Sequence, residues 1–339
     1  MRGERDEVKG VALGRSEGTI SSNPETRSEW IDAAKGIGIC LVVWGHVVRG
    51  VDASEIDAGF PILSVIDYSI YSFHMPLFFF ISGVLFKPGV TFSRLWPRLS
   101  YLIYCYFLWS SVHIFLQILL RDHVNTPLEI ADFMMLPFRS IDQFWFLYAL
   151  VTCLIVAVVA SRSNAVLVGT AVCVFLLRDW LPGMISLSFS YLPFLAVGIL
   201  VSGVVLKSQP SWATTALITL GFVIAVGTSY LTYRCWFPCL GVIPAATLGI
   251  AGVISTSKLL PVAEGSLIVR LGRASLTIYC LHVMFGSGLR ILLSNMLPDL
   301  PAFFHIMCGT VVALFLPLLI PEWLDARHLL RYFGFSRFR

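Results

Sequence analysis

Long apolar segments recur along this chain of 339 residues and constrain its fold more than any other feature. Each is close to the ~20 residues that an α-helix needs to cross the hydrocarbon core of a bilayer. We place them at 33–50, 66–86, 98–119, 143–160, 164–178, 189–206, 211–231, 239–257, 274–293 and 301–320, the fifth being the shortest. In lipid the backbone N–H and C=O groups must form their hydrogen bonds within the chain, and this requirement favours helices. We therefore expect an all-α polytopic membrane protein with about ten transmembrane helices.

The composition supports a membrane environment and excludes a soluble domain. Hydrophobic residues make up 57% of the sequence and charged residues only 13%, whereas a soluble domain carries about 25% charged residues. The mean hydropathy is +0.82. We therefore expect membrane lipids around the chain and no nucleic-acid partner.

The basic residues predict which side of the membrane each loop faces. With the N-terminus in the cytoplasm, eighteen of the 24 lysine and arginine residues fall on the inner side. This excess is the asymmetry that the positive-inside rule describes. Together with an even number of ten transmembrane helices, this charge asymmetry predicts that both termini lie in the cytoplasm.

Polar segments flank the predicted membrane domain at both ends. Residues 1–29 carry five basic and six acidic side chains, and within them no apolar run follows a basic start, so we expect a disordered cytoplasmic tail and no cleaved signal peptide. The stretch Thr26–Glu29 fits a capping box and marks a helix start. Residues 30–325 form the transmembrane domain, and the basic, aromatic tail of 326–339 is expected to rest on the inner headgroups.

Asp32, Lys35 and His46 interrupt the first apolar segment, "EWIDAAKGIGICLVVWGHVV" at 29–48. An ionisable residue at the centre of a span costs about 2.5–3.5 kcal/mol to insert and is a functional candidate by default. Lys35 and His46 are eleven residues apart, and Asp32 precedes Lys35 by three, so the three side chains share one helix face. A structural interpretation also exists, in which Lys35 reaches the interface beside Asp32 and His46 bonds a neighbouring helix.

Histidines in two later segments favour a catalytic interpretation. His74 lies in the outer half of the second segment, where Pro76 and Gly83 suit a kink and a close backbone approach. His282 lies near the middle of the ninth segment, in "LGRASLTIYCLHVMF", and Tyr279 shares its helix face. A tyrosine can hold or donate a proton, and a neutral imidazole is the commonest general base near neutral pH.

Four arginines near the inner ends of two segments suggest a binding site for a polyphosphate. Arg94 and Arg98 are spaced i, i+4 at the mouth of the third segment, and Arg270 and Arg273 begin the ninth. Guanidinium groups bind phosphate bidentately. Inner-loop arginines also set the topology of membrane proteins, so the spacing alone leaves both interpretations open.

The cysteines and the common ligand-binding motifs add no further site. Most of the eight cysteines lie in apolar segments, while Cys235 and Cys239 fall near the outer face, either as a pair or as two thiols. The chain contains no CxxC, HExxH, Walker or GxGxxG pattern. We therefore expect no metal and no nucleotide-binding fold.

Five stretches resemble the membrane acyltransferase-3 family, and within it the branch of fucose 4-O-acetylase-like O-acetyltransferases. They are "WIDAAKGIGICLVVWGH", "YSFHMPLFFFISGVLF", "RLWPRLSYLIYCYFLW", "FWFLYAL" and "LGRASLTIYCLH", in family order over residues 30–282. The family pattern has a basic residue, commonly arginine, eleven positions before the first-helix histidine. Here that residue is Lys35, which keeps the charge without the bidentate fork. The third-helix arginines of the family correspond to Arg94 and Arg98.

The resemblance implies a multi-pass enzyme of the bacterial plasma or inner membrane that transfers acetyl groups. It implies acetyl-CoA, supplied from the cytoplasm, as the donor and a sugar hydroxyl of a glycan or lipid-linked saccharide as the acceptor. In this interpretation the CoA phosphates meet a cofactor-binding set of basic residues, which are Lys35, Arg94, Arg98 and Arg273.

The same interpretation gives each remaining ionisable residue a role. We expect His46 to activate the acceptor hydroxyl or to carry the acetyl group briefly itself. His282 and Tyr279 orient the acceptor or stabilise charge, Asp32 fixes the inner end of the first helix, and His74 is a further pocket residue. The alternative function is a transporter or flippase of a lipid-linked sugar, although no internal repeat of the kind common in transporters is present.

Overall fold

Helices make up most of the described chain in the computed structural model, which covers residues 29–54, 56, 61–125, 127–232, 240–263 and 265–335. These residues form α-helices and short 3₁₀ turns joined by loops, and they contain no strand. The helices are α1 Glu29–Asp52, α2 Pro61–Val84, α3 Phe92–Leu119, α4 Ala131–Met135, α5 Trp145–Ala160, α6 Asn164–Leu177, α7 Gly183–Lys207, α8 Trp212–Thr232, α9 Ile243–Leu259, α10 Leu267–Arg273, α11 Ser275–Met296 and α12 Ala302–Asp325. The predicted all-α class is confirmed.

Nine helices in the described ranges are long and apolar enough to cross a membrane. They are α1, α2, α3, α5 and α9 each with the 3₁₀ turn before it, α7, α8, α11 and α12. All ten predicted segments form helices, but the fifth, α6, has 14 residues and a length of about 21 Å, less than a bilayer core of ~30 Å. The protein is therefore a multi-pass membrane protein, and the side on which each terminus lies stays a prediction.

Helix α1 is the central element of the bundle. It contacts α2, α9, α10, α11 and α12. Within the most apolar part of each span, 67% of α1 is buried inside the protein, compared with 17% of α8. Asp32, which is 1% exposed, therefore lies among other helices and not against lipid.

Glycines allow two pairs of helices to touch through their backbones. A Cβ atom added at Gly83 in α2 would overlap the carbonyl oxygen of Leu195 in α7, and one at Gly198 would overlap that of Phe80. The close approach predicted at Gly83 is confirmed. The contact between α1 and α10 has the same character, because a Cβ at Gly272 would overlap the carbonyl oxygen of Asp32. Small residues at such contacts let membrane helices pack closely.

The segment after α12 folds back onto α3 as a 3₁₀ turn, Leu330–Phe333. The hydroxyl of Tyr101 donates to the Gly334 carbonyl at 2.7 Å, and the Trp109 indole donates to the Phe333 carbonyl at 3.2 Å. The Trp109 ring also stacks on Phe335, with 5.1 Å between centroids. This part of the predicted C-terminal tail is therefore a packed element of the bundle.

Some predicted features fall outside the described residues. These are the N-terminal tail before Glu29, most of the capping box, Cys235 and Cys239, and residues 336–339. The six cysteines inside the described ranges are free thiols.

Candidate active site

Three predicted residues meet at the N-terminal end of α1. One Asp32 carboxylate oxygen lies 3.7 Å from Lys35 Nζ, and the other accepts a hydrogen bond from Arg273 Nε at 3.3 Å. The Asp32 side chain is 1% exposed. The backbone contact at Gly272 brings Arg273 to this carboxylate, so the cluster fixes α10 against α1.

The imidazoles of His46 and His282 face each other further along α1. Their ring centroids are 5.0 Å apart in an edge-on arrangement. His46 follows Asp32 by fourteen residues, or about 21 Å along the axis. His46 and Asp32 lie on one helix, as predicted from the sequence. Because of their separation, the two side chains lie toward opposite ends of the bundle.

Backbone hydrogen bonds fix the orientation of the His282 ring. Its Nδ1 atom lies 2.7 Å from the Tyr279 carbonyl oxygen and 3.1 Å from that of Ile278. Carbonyl oxygens only accept, so Nδ1 carries the hydrogen and Nε2 presents a lone pair. Nε2 is buried and has no hydrogen-bond partner among the described residues. The ring therefore offers a proton acceptor toward the interior.

His74 and Tyr279 lie beside this pair. His74 Nδ1 bonds the Ile70 carbonyl at 2.8 Å, and the ring lies 4.6 Å from that of Tyr71, which in turn contacts His46. The hydroxyl of Tyr279 donates to the backbone carbonyl of Gln143. This bond occupies the phenolic hydrogen, so the hydroxyl acts here as a structural donor.

Two cavities meet at His46. The first, of about 350 Å³, lies between α1, α3, α11 and α12 and has a largely apolar lining. The second, of about 660 Å³, lies between α1 and α2 and the residues that begin α5. His46, Arg49 and Gln143 line both cavities, and His282 lines the first. An imidazole that borders both cavities can act on two molecules that arrive separately.

The second cavity is aromatic and polar. Its walls include Tyr71, Trp145 and Tyr191, together with the carboxylates of Asp52 and Asp67. Asp67 and the guanidinium of Arg49 form a bidentate pair, with N–O distances of 2.9–3.1 Å.

Sequence reasoning missed this Arg49–Asp67 pair. The guanidinium also covers the Tyr71 ring, with 3.2 Å between its central carbon and the ring centroid. Two spacings in the sequence could have indicated the Arg49–Asp67 pair. Arg49 follows His46 by three residues and Asp67 precedes His74 by seven, so each charged residue shares a helix face with its histidine.

The structure leaves Arg94 and Arg98 apart from the histidines. Both lie in the first two turns of α3, Arg94 exposed and Arg98 half-buried, and neither lines a cavity described above. His113, which borders the first cavity, follows Arg94 by nineteen residues, or about 28 Å along the helix. The arginine pair therefore lies toward the end of the bundle that holds Asp32.

A helical membrane bundle with two facing imidazoles between two cavities has the residues of a membrane-embedded group-transfer enzyme. The sequence profile of the acyltransferase-3 family, described as an acyltransferase domain, matches residues 28–320. The chain belongs to this family and carries its acyltransferase domain, which favours the predicted transferase over the alternative of a transporter. The family predicted from the five stretches is thus confirmed.

The chain is also similar to a curated protein of known name. The nodulation protein NolL of Mesorhizobium japonicum is 32% identical over 155 residues, which cover 42% of this chain and 38% of NolL. The alignment thus spans less than half of the length of NolL. No solved structure matches the chain.

Proposed function

We propose that the protein is an O-acetyltransferase of the cell membrane that moves an acetyl group from acetyl-CoA to a sugar hydroxyl. The acceptor is a glycan or a lipid-linked saccharide, and the membrane is the plasma or inner membrane of a bacterium. The observation that carries this proposal is the His46–His282 pair at the junction of two cavities. It provides a proton acceptor where a donor and an acceptor molecule can meet.

His46 is the proposed base. It borders both cavities, whereas His282 lines one and is held by the backbone of α11. His46 takes the proton of the acceptor hydroxyl, so that the oxygen attacks the thioester, and it returns the proton to the departing thiolate. The neighbouring imidazole of His282, whose Nε2 carries a lone pair, stabilises the positive charge that His46 acquires. A brief acetyl-imidazole on His46 would use the same geometry.

The chemistry of the second cavity suits a sugar. Aromatic rings such as Trp145 and Tyr191 present flat apolar faces to the C–H face of a pyranose. The Asp52 and Asp67 carboxylates accept hydrogen bonds from sugar hydroxyls, and these charge-assisted bonds are stronger than neutral ones. The apolar lining of the first cavity suits the acyl end of the donor, while Arg94 and Arg98 provide positive charge for its phosphates at the other end of the bundle.

Acetylation of cell glycans tests the proposed function. We expect cells that carry the wild-type gene to show O-acetyl groups, by mass spectrometry, that cells without it lack. His46→Ala should reduce acetylation by about 10²–10⁴-fold, the usual contribution of a general base. The matched control is His123→Ala, since His123 is exposed and lines neither cavity. Wild-type acetylation by His46→Ala, at an equal amount of protein in the membrane, would contradict the proposal.

A further inference from the structure

Gln143 carries a buried amide with unused hydrogen-bonding capacity. The residue is 2% exposed, and neither its side-chain nitrogen nor its side-chain oxygen has a hydrogen-bond partner within the described part of the chain. Leaving a buried polar group unpaired costs about 1–3 kcal/mol, and nearly all buried side-chain amides in native proteins are paired. An amide that stays unpaired beside a cavity indicates that a ligand supplies its partner.

The position of Gln143 makes this ligand a reactant. The side chain lines both cavities, as His46 does. Its backbone carbonyl accepts the Tyr279 hydroxyl, and Tyr279 lies three residues before His282 in α11. This bond ties the residue that carries the amide to the helix that carries the second imidazole.

The backbone at Asp142, the residue directly before Gln143, is strained. Asp142 has φ +41°, in the left-handed region that costs a non-glycine residue about 1–3 kcal/mol. Two side chains of α3 hold Asp142 there, because its Oδ2 lies 2.8 Å from both His113 Nε2 and Gln117 Nε2. Strain that neighbouring groups enforce is typical of functional sites.

We propose that Gln143 is a catalytic residue that forms the oxyanion site. When the acceptor oxygen bonds to the thioester carbon, its proton passes to His46 and the carbonyl electron pair moves onto the carbonyl oxygen. The Gln143 Nε2–H group donates a hydrogen bond to that oxygen. The carbonyl then reforms, the carbon–sulfur bond breaks, and the CoA thiolate takes the proton from the imidazolium. This inference rests on the proposed acetyl transfer.

Kinetics of Gln143 variants in membrane vesicles test the inference. The donor is radiolabelled acetyl-CoA, and the acceptor is glycan that was chemically de-O-acetylated from the same cells. Gln143→Ala should lower kcat by about 10²–10³-fold, the usual cost of one lost oxyanion donor, with little change in either KM. The control is Gln209→Ala, an exposed glutamine outside both cavities.

A second variant separates hydrogen-bond donation from a packing role. Gln143→Glu keeps the size of the side chain but loses the donor while the carboxyl is ionised. Its kcat, relative to wild type at each pH, should rise as the pH falls, because the protonated carboxyl can donate. Gln143→Ala should show no such recovery.

Two different outcomes would overturn the two proposals. If the wild-type protein does not transfer acetyl from acetyl-CoA, the proposed function fails. If it does, and Gln143→Ala keeps the wild-type kcat or Gln143→Glu shows no relative recovery at low pH, the oxyanion role of Gln143 fails.

Discussion

The three histidines of the candidate site, His46, His74 and His282, differ in how their ring nitrogens are held. His74 and His282 each place Nδ1 against the carbonyl oxygen of the residue one helical turn earlier, Ile70 or Ile278. Both therefore have a fixed tautomer. His46 contacts the rings of Tyr71 and His282 but forms no hydrogen bond within the described part of the chain. Of the three, it is the one that can exchange a proton through either nitrogen.

Two charged residues at opposite ends of the bundle should affect different substrates. Arg98→Ala removes a charge proposed to hold the CoA phosphates and should raise the KM for acetyl-CoA by about tenfold, the loss of one charge-assisted hydrogen bond of ~1.5 kcal/mol. Asp67→Asn weakens the pair with Arg49 in the second cavity and should raise the KM for the de-O-acetylated glycan. The measurement is initial rates with each substrate varied in turn.

Each of these variants is the control for the other. Both proteins must be present in the membrane at the wild-type amount. If Arg98→Ala leaves the KM for acetyl-CoA unchanged, the proposed donor site is wrong. If Asp67→Asn raises the KM for acetyl-CoA and leaves the KM for the glycan unchanged, the second cavity binds the donor and not the acceptor.

At the scale of elements, α3 depends on the C-terminal segment for part of its packing. Trp109 is 5% exposed and contacts Phe333 and Phe335, whereas Trp96 on the same helix is 49% exposed. Trp109→Ala should lower the free energy of unfolding by about 3–5 kcal/mol, the usual loss for a large buried aromatic residue. Trp96→Ala should change it by less than about 0.5 kcal/mol. Thermal unfolding in detergent measures both.

Removal of residues 330–339 tests the same contact from the other side. This deletion takes away the carbonyl groups that Tyr101, Tyr104 and Trp109 bond. Each such bond contributes about 1 kcal/mol, so the unfolding midpoint should fall clearly. A truncated protein as stable as the full chain would show that the segment does not support α3.

The sequence predicts elements well and contacts between them poorly. Apolar length placed the first segment at 33–50, and α1 runs from Glu29 to Asp52, because its polar ends continue the helix. Spacing within one helix grouped Tyr279 with His282. No pattern within one helix could predict that Gln143 lies near His46, because Gln143 precedes α5 and His46 belongs to α1. Gln143 also begins an aromatic stretch that is typical of a membrane interface. The Arg49–Asp67 pair likewise joins two different helices, α1 and α2, so no spacing within one helix predicts their contact.

At the scale of the whole molecule, α6 decides the topology. Nine crossings would leave the termini on opposite sides, and a tenth would bring them together. Apolar side chains of α6 point outward, with Val172 51% and Leu176 67% exposed, as lipid-facing residues do. With the 3₁₀ turn that follows, the element covers residues 164–180, or about 25 Å, which a locally thinned bilayer accommodates.

We therefore expect both termini in the cytoplasm. A phosphatase that is active only outside the cytoplasm should stay inactive when fused to either terminus. The same reporter inserted after His123, in the loop that follows α3, should be active and serves as the control. An active C-terminal fusion would show that α6 does not cross.

The docking of residues 330–335 on α3 also has a consequence for biosynthesis. Tyr101 and its partner Gly334 are 233 residues apart, so α3 enters the membrane long before the ribosome has made the segment that covers it. Until residues 332–334 have emerged, the tyrosine and tryptophan donors of α3 have no carbonyl to bond there. Nascent chains that stall before this segment emerges should therefore be recognised and degraded, although α3 itself has already been inserted.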